Sequence, residues 1–175
     1  MYLSRHNYGV CLLSLALALT LVGAGWAQTA SPTAPDANPY RQAVALLDQA
    51  EQQLTAGNLS SAMSLAKQTN AIFTRLRKES AAKLAERELS AQESQQLAIN
   101  QKLATEAQAQ ADPLLETAAA KKKQAEELRN KGQAAAGDAA ERESKEQYIQ
   151  VQTLSIKSAI YALRNQQIIF RFLAP

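Results

Sequence analysis

The chain has 175 residues, of which 46% are hydrophobic and 5% aromatic, and its 19 basic and 16 acidic residues give a formal net charge of +3. Basic and acidic residues are interspersed, which is typical of a solvated surface and argues against a nucleic-acid-binding site. The single histidine, cysteine and tryptophan are His6, Cys11 and Trp26. Any chemistry that needs these side chains therefore depends on the fate of the N-terminal segment.

The first 27 residues have the three parts of a secretory signal peptide. Arg5 lies in a short basic start, residues 10–22 are apolar, and small residues flank Trp26. The apolar stretch is shorter than the roughly 20 residues that span a bilayer. We therefore expect cleavage before Gln28, export, and no stable membrane insertion after cleavage. An uncleaved membrane anchor is the alternative.

Cleavage would remove every histidine, cysteine and tryptophan from the mature chain. A cysteine nucleophile, a histidine base, a thiolate or imidazole metal site and a disulfide would then all be excluded. The formal net charge would fall to +2, because Arg5 leaves with the signal. The lack of cysteine favours a bacterial envelope, with the periplasm as the expected location and the extracellular space as the alternative.

Carboxylates are the remaining candidates for catalysis. The adjacent pair Glu126–Glu127 and the pair Glu141 and Glu143 lie among lysines and arginines on polar helix faces. A catalytic carboxyl group needs an enclosed site that shifts its pKa, whereas these positions are typical of a solvated surface. The chain also lacks a glycine-rich phosphate-binding loop. We therefore expect no enzymatic activity and no cofactor or metal.

The first ordered element is expected after a leader. Residues 28–39 are rich in proline, alanine, serine and threonine, which is typical of a disordered spacer. Asn38 as the cap and Pro39 as the first helical residue predict a helix over 40–56. Gly57 ends this helix, because glycine tolerates the left-handed backbone conformation that follows many helices.

A second helix is predicted over 59–111, either continuous or broken near 80–95, with Asn58 as its cap. The stretch "ALLDQAEQQLTAGNLSSAMSLAKQ" places Gly57-Asn58-Leu59 between two apolar helical stripes. Residues 44–76 thereby resemble a single tetratricopeptide-type hairpin, which implies two antiparallel helices joined by a tight turn. The pattern does not recur about 34 residues later, so the resemblance implies no peptide-binding groove.

The second half of the chain contains two further helix boundaries. Asp112-Pro113 predicts a break and a third helix over 114–131. Residues 132–137 form a predicted glycine-rich turn, and Asp138–Glu141 has the pattern of a capping box that starts a fourth helix over 139–172. In the predicted second helix, residues 59–111, a clean a/d heptad does not persist, which argues against a two-stranded coiled coil.

The predicted fold is all-α, an elongated bundle of about four helices or a coiled-coil-like domain over 40–175. We expect the first hairpin and the last helix to share the main core. Residues 80–135 are predicted to form a more polar, protruding arm.

The end of the chain is unusually apolar for a sequence rich in alanine and glutamine. One explanation is that it covers the open end of the bundle while its arginine points outward. The other is that it remains exposed and binds a partner protein. The candidate partner-binding residues are Ile168, Ile169, Phe170, Arg171, Phe172 and Leu173.

These patterns favour an exported, non-enzymatic helical protein that acts as a protein-binding adaptor or scaffold in the bacterial cell envelope. A periplasmic holdase-type chaperone for envelope proteins is the alternative. The sequence does not identify the partner, and it leaves homo-oligomerisation open.

Overall fold

The structure is a computed structural model that describes residues 38–174, which are helical apart from short turns and contain no strand. The expected signal peptide and all but the end of the expected leader lie outside the described residues. An all-α bundle with four long helices is confirmed. The elements, in chain order, are α1 Pro39–Thr55, α2 Leu59–Glu79, α3 Ala81–Ala85, α4 Ala91–Asn130, α5 Ala134–Ile169 and a 3₁₀ turn Arg171–Leu173.

The α1–α2 hairpin forms as its turn chemistry predicts. The Asn38 side chain accepts a hydrogen bond from the Tyr40 amide at 2.9 Å, and Pro39 occupies the first helical position. Gly57 has a φ of +78°, the conformation that a residue with a Cβ rarely adopts. Asn58 holds the cap position of α2 without a capping bond, and its side-chain nitrogen donates a hydrogen bond to the Gln53 side chain.

The main core lies between the α1–α2 hairpin and the C-terminal half of α5, as expected. Leu47 of α1, Phe73 of α2 and Ile156 of α5 are each at most 1% exposed. Burying such a side chain contributes about 1.5–3 kcal/mol. The buried residues of this cluster are Tyr40, Ala43, Leu47, Ala50, Ala62, Ala66, Phe73, Leu76, Ile156, Ile160, Leu163 and Phe170.

A break between α2 and α4 is confirmed within the expected range of 80–95. The Ser90 hydroxyl accepts a hydrogen bond from the Glu93 amide at 3.1 Å, and the Glu93 carboxylate accepts one from the Ser90 amide at 3.0 Å. This reciprocal pair is a capping box, and it starts α4. Half-buried Leu84 packs against the main core. The prediction that residues 80–90 belong to the protruding arm is therefore wrong.

The predicted break at Asp112-Pro113 is wrong, because α4 continues through it to Asn130. Pro113 cannot donate the helical hydrogen bond to the Ala109 carbonyl, which ordinarily weakens a helix interior. Ala111 and Ala118, on either side, are nevertheless both buried. Packing against α5 along the whole of α4 therefore overrides the local preference of proline.

The predicted start of the last helix at Asp138 is also wrong. Helix α5 begins at Ala134, and the Asp138 carboxylate instead accepts hydrogen bonds from the Arg129 guanidinium of α4. The turn is confined to residues 131–133, where Gly132 has a φ of +77°. Gly137 is a buried helical residue rather than part of a flexible turn.

Helices α4 and α5 pack antiparallel along a seam of small residues. The Ser144 hydroxyl donates a hydrogen bond to the Ala118 carbonyl at 2.8 Å. The Ser158 hydroxyl donates to the Ala104 carbonyl at 2.9 Å. A short side chain can reach the backbone of the opposite helix only where both helices carry small residues. Two series of buried small residues repeat at multiples of seven: Ala104, Ala111, Ala118 and Ala125 on α4, and Gly137, Ser144 and Ser158 on α5. Ala107 and Ala140 are also buried and lie outside these series.

A single register holds over the whole seam. The Asn165 amide donates to the Leu97 carbonyl at 3.3 Å at one end. At the other end, a Cβ added to Gly137 would lie 3.0 Å from the Ala125 carbonyl oxygen. Both pairs continue the spacing that the two serine bonds define. The small residues of the seam therefore repeat every seven positions in one register.

We define the arm as residues 107–155, the part of the α4–α5 pair that extends beyond the main core. On α5 it ends just before Ile156, the first α5 residue that is buried in the main core. All of its buried residues are alanine, glycine or serine. The α4 part of the arm is about 36 Å long, from about 1.5 Å per residue. Residues 107–135 are thus a mostly polar element as predicted, but the arm also includes the first half of α5.

Enlarging a seam residue should destabilise the fold. Ala118 is 0% exposed, so Ala118→Leu is expected to reduce the free energy of unfolding by about 1–3 kcal/mol or more through overpacking. The matched control is Ala119→Leu at the exposed neighbouring position, where a change within about 0.5 kcal/mol is expected. Urea unfolding followed by circular dichroism measures both, and equal effects would contradict the close packing of the seam.

Candidate functional site

The closing segment, residues 168–173, carries the predicted partner-binding residues, and its centre lies inside the main core. Phe170 is 0% exposed, and its ring stacks on that of Phe73 with the centroids 5.7 Å apart and the planes 9° from parallel. Aromatic pairs of this kind contribute about 0.5–1.5 kcal/mol beyond their buried area. Phe170 therefore joins the end of α5 to α2.

Arg87, in the loop before α4, holds the closing segment from outside. Its guanidinium donates one hydrogen bond to the Ile168 carbonyl at 2.7 Å and another to the Glu93 carboxylate at 2.7 Å. The same group lies 5.4 Å from the centroid of the Phe172 ring, within the range of a cation–π contact. One side chain thus links the start of α4, the end of α5 and the 3₁₀ turn.

The start of α1 holds the same segment from the other side. The Asn38 amide donates to the Leu173 carbonyl at 3.0 Å, so Asn38 bonds both the helix that it caps and the end of the chain. The Tyr40 hydroxyl donates to the Gln167 carbonyl at 3.2 Å. Burial raises the pKa of the Tyr40 phenol, against the opposing effect of the Arg171 positive charge.

A charged cluster joins α1 to α5 one turn before the closing segment. The Arg164 guanidinium donates to the Glu51 carboxylate at 2.6 Å and to the Asp48 carboxylate at 2.8 Å. Hydrogen bonds from Arg164 to these two carboxylates raise the pKa of its guanidinium. The Arg164 side chain is 22% exposed, so these two ion pairs are partly desolvated. Their charge-assisted hydrogen bonds align α1 with α5.

The remaining residues of the closing segment surround its buried centre. Arg171 is exposed. Ile169, Phe172 and Leu173 are half-buried and pack against the core cluster, and Ile168 is also half-buried. The segment therefore covers the end of the core and still presents a rim of apolar atoms around one cation. Partner binding by these six residues stays a prediction.

The carboxylates weighed for catalysis lie on the surface of the arm. Glu126 and Glu127 are exposed, and Glu143 pairs with Lys121 at 2.6 Å. Glu141 pairs with Lys145 and with Arg129.

Hydrogen bonds from Lys145, which has the larger effect, and from Arg129 lower the pKa of Glu141 from 4.5 to about 2. A carboxyl group in this setting stays ionised, whereas a general acid at neutral pH needs a raised pKa.

Sequence reasoning missed Arg87 and the two seam serines. Arg87 lies in a polar run outside any apolar pattern, so only the fold brings it to the closing segment. Ser144 and Ser158 could have been found from their positions, because each lies at a multiple of seven from Gly137, opposite an alanine series with the same repeat.

Among residues 38–174, no helix is long and apolar enough to cross a membrane. Nor does the same range hold a group of three or more potential ligands placed to bind a metal ion.

Comparison with known proteins gives no match: no family model, no curated protein and no solved structure is significantly similar to this chain.

Truncating Phe170 should destabilise the protein far more than truncating Phe172. Phe170→Ala removes a fully buried ring and its stacking contact with Phe73, and we expect a loss of about 3–5 kcal/mol in the free energy of unfolding. Phe172→Ala removes a half-buried ring at the edge of the core, with an expected loss of about 1–2 kcal/mol. Urea unfolding of both variants is the measurement, and the reverse order would contradict the placement of the two rings.

The ion pairs of Glu141 should make stability depend on acid pH. Because the pKa of Glu141 is lower in the folded protein than in the unfolded chain, its ionised form stabilises the fold above about pH 4.5 and loses this effect towards about pH 2. Between these values, the free energy of unfolding should fall less for Glu141→Gln than for the native protein.

Urea unfolding at a series of pH values measures this difference. Gln124→Ala, at an exposed position on the same arm that does not titrate, is the control and should retain the native slope. An identical pH dependence of Glu141→Gln and the native protein would refute the assigned role of these ion pairs.

Proposed function

We propose that this protein is an exported, non-enzymatic helical protein that binds another protein as an adaptor or scaffold in the bacterial cell envelope. The observation that carries the proposal is the division of the described chain into a compact three-helix core and a slender two-helix arm. Most of the large apolar side chains are buried in the core or pack against it. The arm buries only small ones.

The arm supports a scaffold role because it has a defined direction and register. Serine-to-carbonyl hydrogen bonds tie α4 to α5 within it and at its base. Arg129 joins the two helices at the tip through Asp138 and Glu141. Because its two helices are tied to each other at the base and at the tip, the arm can hold a bound protein at a set distance from the core.

The closing segment supports partner binding because it presents a mixed surface on rigid supports. Arg87 and Asn38 hold its backbone carbonyls, while Arg171 remains exposed among half-buried apolar side chains. Such a surface suits a protein partner that sets a carboxylate beside an apolar side chain. Rigid presentation reduces the entropy lost on binding.

In-cell photo-crosslinking from position 171 tests this function. A photoreactive amino acid at Arg171, which is exposed, leaves the Phe170 stack intact. We expect one dominant crosslinked product with another envelope protein, identified by mass spectrometry. The same amino acid at exposed Lys67 of α2 is the matched control and should not give that product.

Other products would contradict the adaptor function. Many different envelope proteins crosslinked from Arg171 would favour a holdase-type chaperone. Products in the cytoplasm alone would contradict export. No product specific to position 171 would leave the closing segment as a cover of the core and overturn its role in partner binding.

A further inference from the structure

Three arginines lie at the end of α5, beside the closing segment. Arg77, in the last turn of α2, donates a hydrogen bond to the Gln166 side chain of α5 at 2.6 Å. Arg87 approaches from the loop before α4 and donates to the Ile168 carbonyl at 2.7 Å. Arg171 lies in the 3₁₀ turn itself and is exposed. We call Arg77, Arg87 and Arg171 the arginine cluster.

The positive charge of the arginine cluster is only partly balanced. Within residues 38–174, its one ion pair joins Arg87 to the Glu93 carboxylate at 2.7 Å. Glu86 and Glu88 flank Arg87 in the chain, but their exposed side chains form no ion pair with the cluster in this range. Arg77 bonds an uncharged amide oxygen instead. Two of the three guanidinium groups therefore lack a carboxylate partner among the described residues.

Two other arginines that join helices are balanced within the molecule. Arg129 of α4 pairs with two carboxylates of α5, and Arg164 of α5 pairs with two carboxylates of α1. Arg77 also joins two helices, α2 and α5, but it does so through a neutral side chain. The excess positive charge is therefore a property of this end of the bundle and not of interhelical arginines in general.

The charges of the cluster act on groups on both sides of the closing segment. On the α1 side, burial raises the pKa of the Tyr40 phenol, and the charges of Arg171 and Arg87 oppose this effect. On the α4 side, the pKa of the Glu93 carboxyl is lowered, mainly by the hydrogen bond from the Ser90 amide. The charges of Arg87 and Arg171 lower it further. Positive potential thus extends across the end of the bundle from α1 to α4.

The apolar rim of the closing segment lies among these charges. Its half-buried residues are Ile168, Ile169, Phe172 and Leu173. Leu89, two residues after Arg87 in the loop, is 39% exposed and adds to the apolar surface at this end of the bundle. Guanidinium groups form their strongest hydrogen bonds with carboxylates and phosphates. A ligand that matches this surface therefore carries anionic groups next to apolar ones.

Nucleic acid and a lipid surface match this end of the bundle less well than a protein does. Nucleic-acid binding draws its affinity from many phosphate contacts, whereas two unpaired arginines lie here. Bases also stack on free aromatic rings, but Phe170 is buried and the Phe172 ring already contacts Arg87. Each cation near an anionic bilayer contributes only about 1 kcal/mol, and half-buried side chains do not reach into its interior. Carboxylates of a protein are the better match.

We propose that the closing segment binds an acidic segment of the partner protein, in which two carboxylates flank an apolar side chain. The apolar side chain contacts the rim, and the carboxylates pair with Arg77 and Arg171. Arg87 keeps its ion pair with Glu93 and holds the closing segment in place. This inference rests on the proposed function, which supplies a protein partner at this segment, and it adds the chemistry by which that partner is recognised.

Charge reversal in the cluster tests the acidic partner. A photoreactive amino acid at Ala174, which is exposed, leaves all three arginines in place. In-cell crosslinking from this position should give one dominant product with an envelope protein, as the proposed function requires. Arg77→Glu and Arg171→Glu should each reduce its yield at least about tenfold, because each sets a like charge against a carboxylate of the partner. Lys67→Glu, at an exposed position of α2 outside the cluster, is the matched control and should retain the yield.

Mass spectrometry of the crosslinked peptide identifies the docking segment. We expect aspartate or glutamate residues on both sides of an aliphatic or aromatic residue. Exchanging these acidic residues for lysine in the partner should then restore the product with Arg171→Glu. A basic or uncharged segment would overturn the proposal, and so would an adduct with lipid or nucleic acid.

The two proposals fail in different ways. No specific product from the native chain overturns the proposed function, and the acidic partner with it. A product whose yield neither charge reversal changes leaves the proposed function standing and overturns the acidic partner. Circular dichroism shows whether each variant keeps its fold. Arg77→Gln and Arg171→Gln introduce no negative charge, and each should still reduce the yield about two- to fivefold, as expected for the loss of one exposed ion pair.

Discussion

The close approach of α4 and α5 is the constraint on which the rest of the structure depends. Two serine hydroxyls reach the carbonyls of the opposite helix, at Ala118 and Ala104. A serine in a helix ordinarily bonds the carbonyl of its own preceding turn, so each interhelical bond specifies where α5 lies against α4. Small side chains contribute less hydrophobic free energy than leucine or isoleucine, but they bring the backbones together and determine a single register. With α5 held in this way, its other face is free to receive the α1–α2 hairpin.

The closing segment divides its residues between the core and the surface. Six residues with five apolar side chains cannot all face one side of a helix, and α5 ends within the stretch as the chain enters a 3₁₀ turn. The turn buries Phe170 against Phe73 and brings Phe172 under Arg87. Arg171 remains outside. The buried ring and the exposed charge therefore belong to different residues of the same segment, which explains why the sequence supported both interpretations.

Local signals were reliable where tertiary contacts do not compete for the same groups. The Asn38 oxygen caps α1 as predicted, because the tertiary bond to the Leu173 carbonyl uses the side-chain nitrogen instead. The exposed Gly57 turn also formed as predicted. Pro113 failed as a break because the seam continues on both sides of it. The acidic pattern at Asp138 failed as a start, because its carboxylate binds Arg129 across the turn. The capping box that did form, at Ser90 and Glu93, has the same sequence pattern and lies at an exposed helix end.

By itself, the sequence determined the helical class, the first hairpin and its shared core with the last helix. Those features follow from propensity, apolar periodicity and turn residues, which act over a few neighbouring positions. Only the tertiary structure decided that α4 is one helix and that Arg87 reaches the closing segment. Each of these depends on residues that are distant in the chain, and their effect is set by how closely the α4 and α5 backbones approach. That distance depends on small residues at a spacing of seven, which add little to any hydrophobic pattern and so were not recognised before the packing was seen.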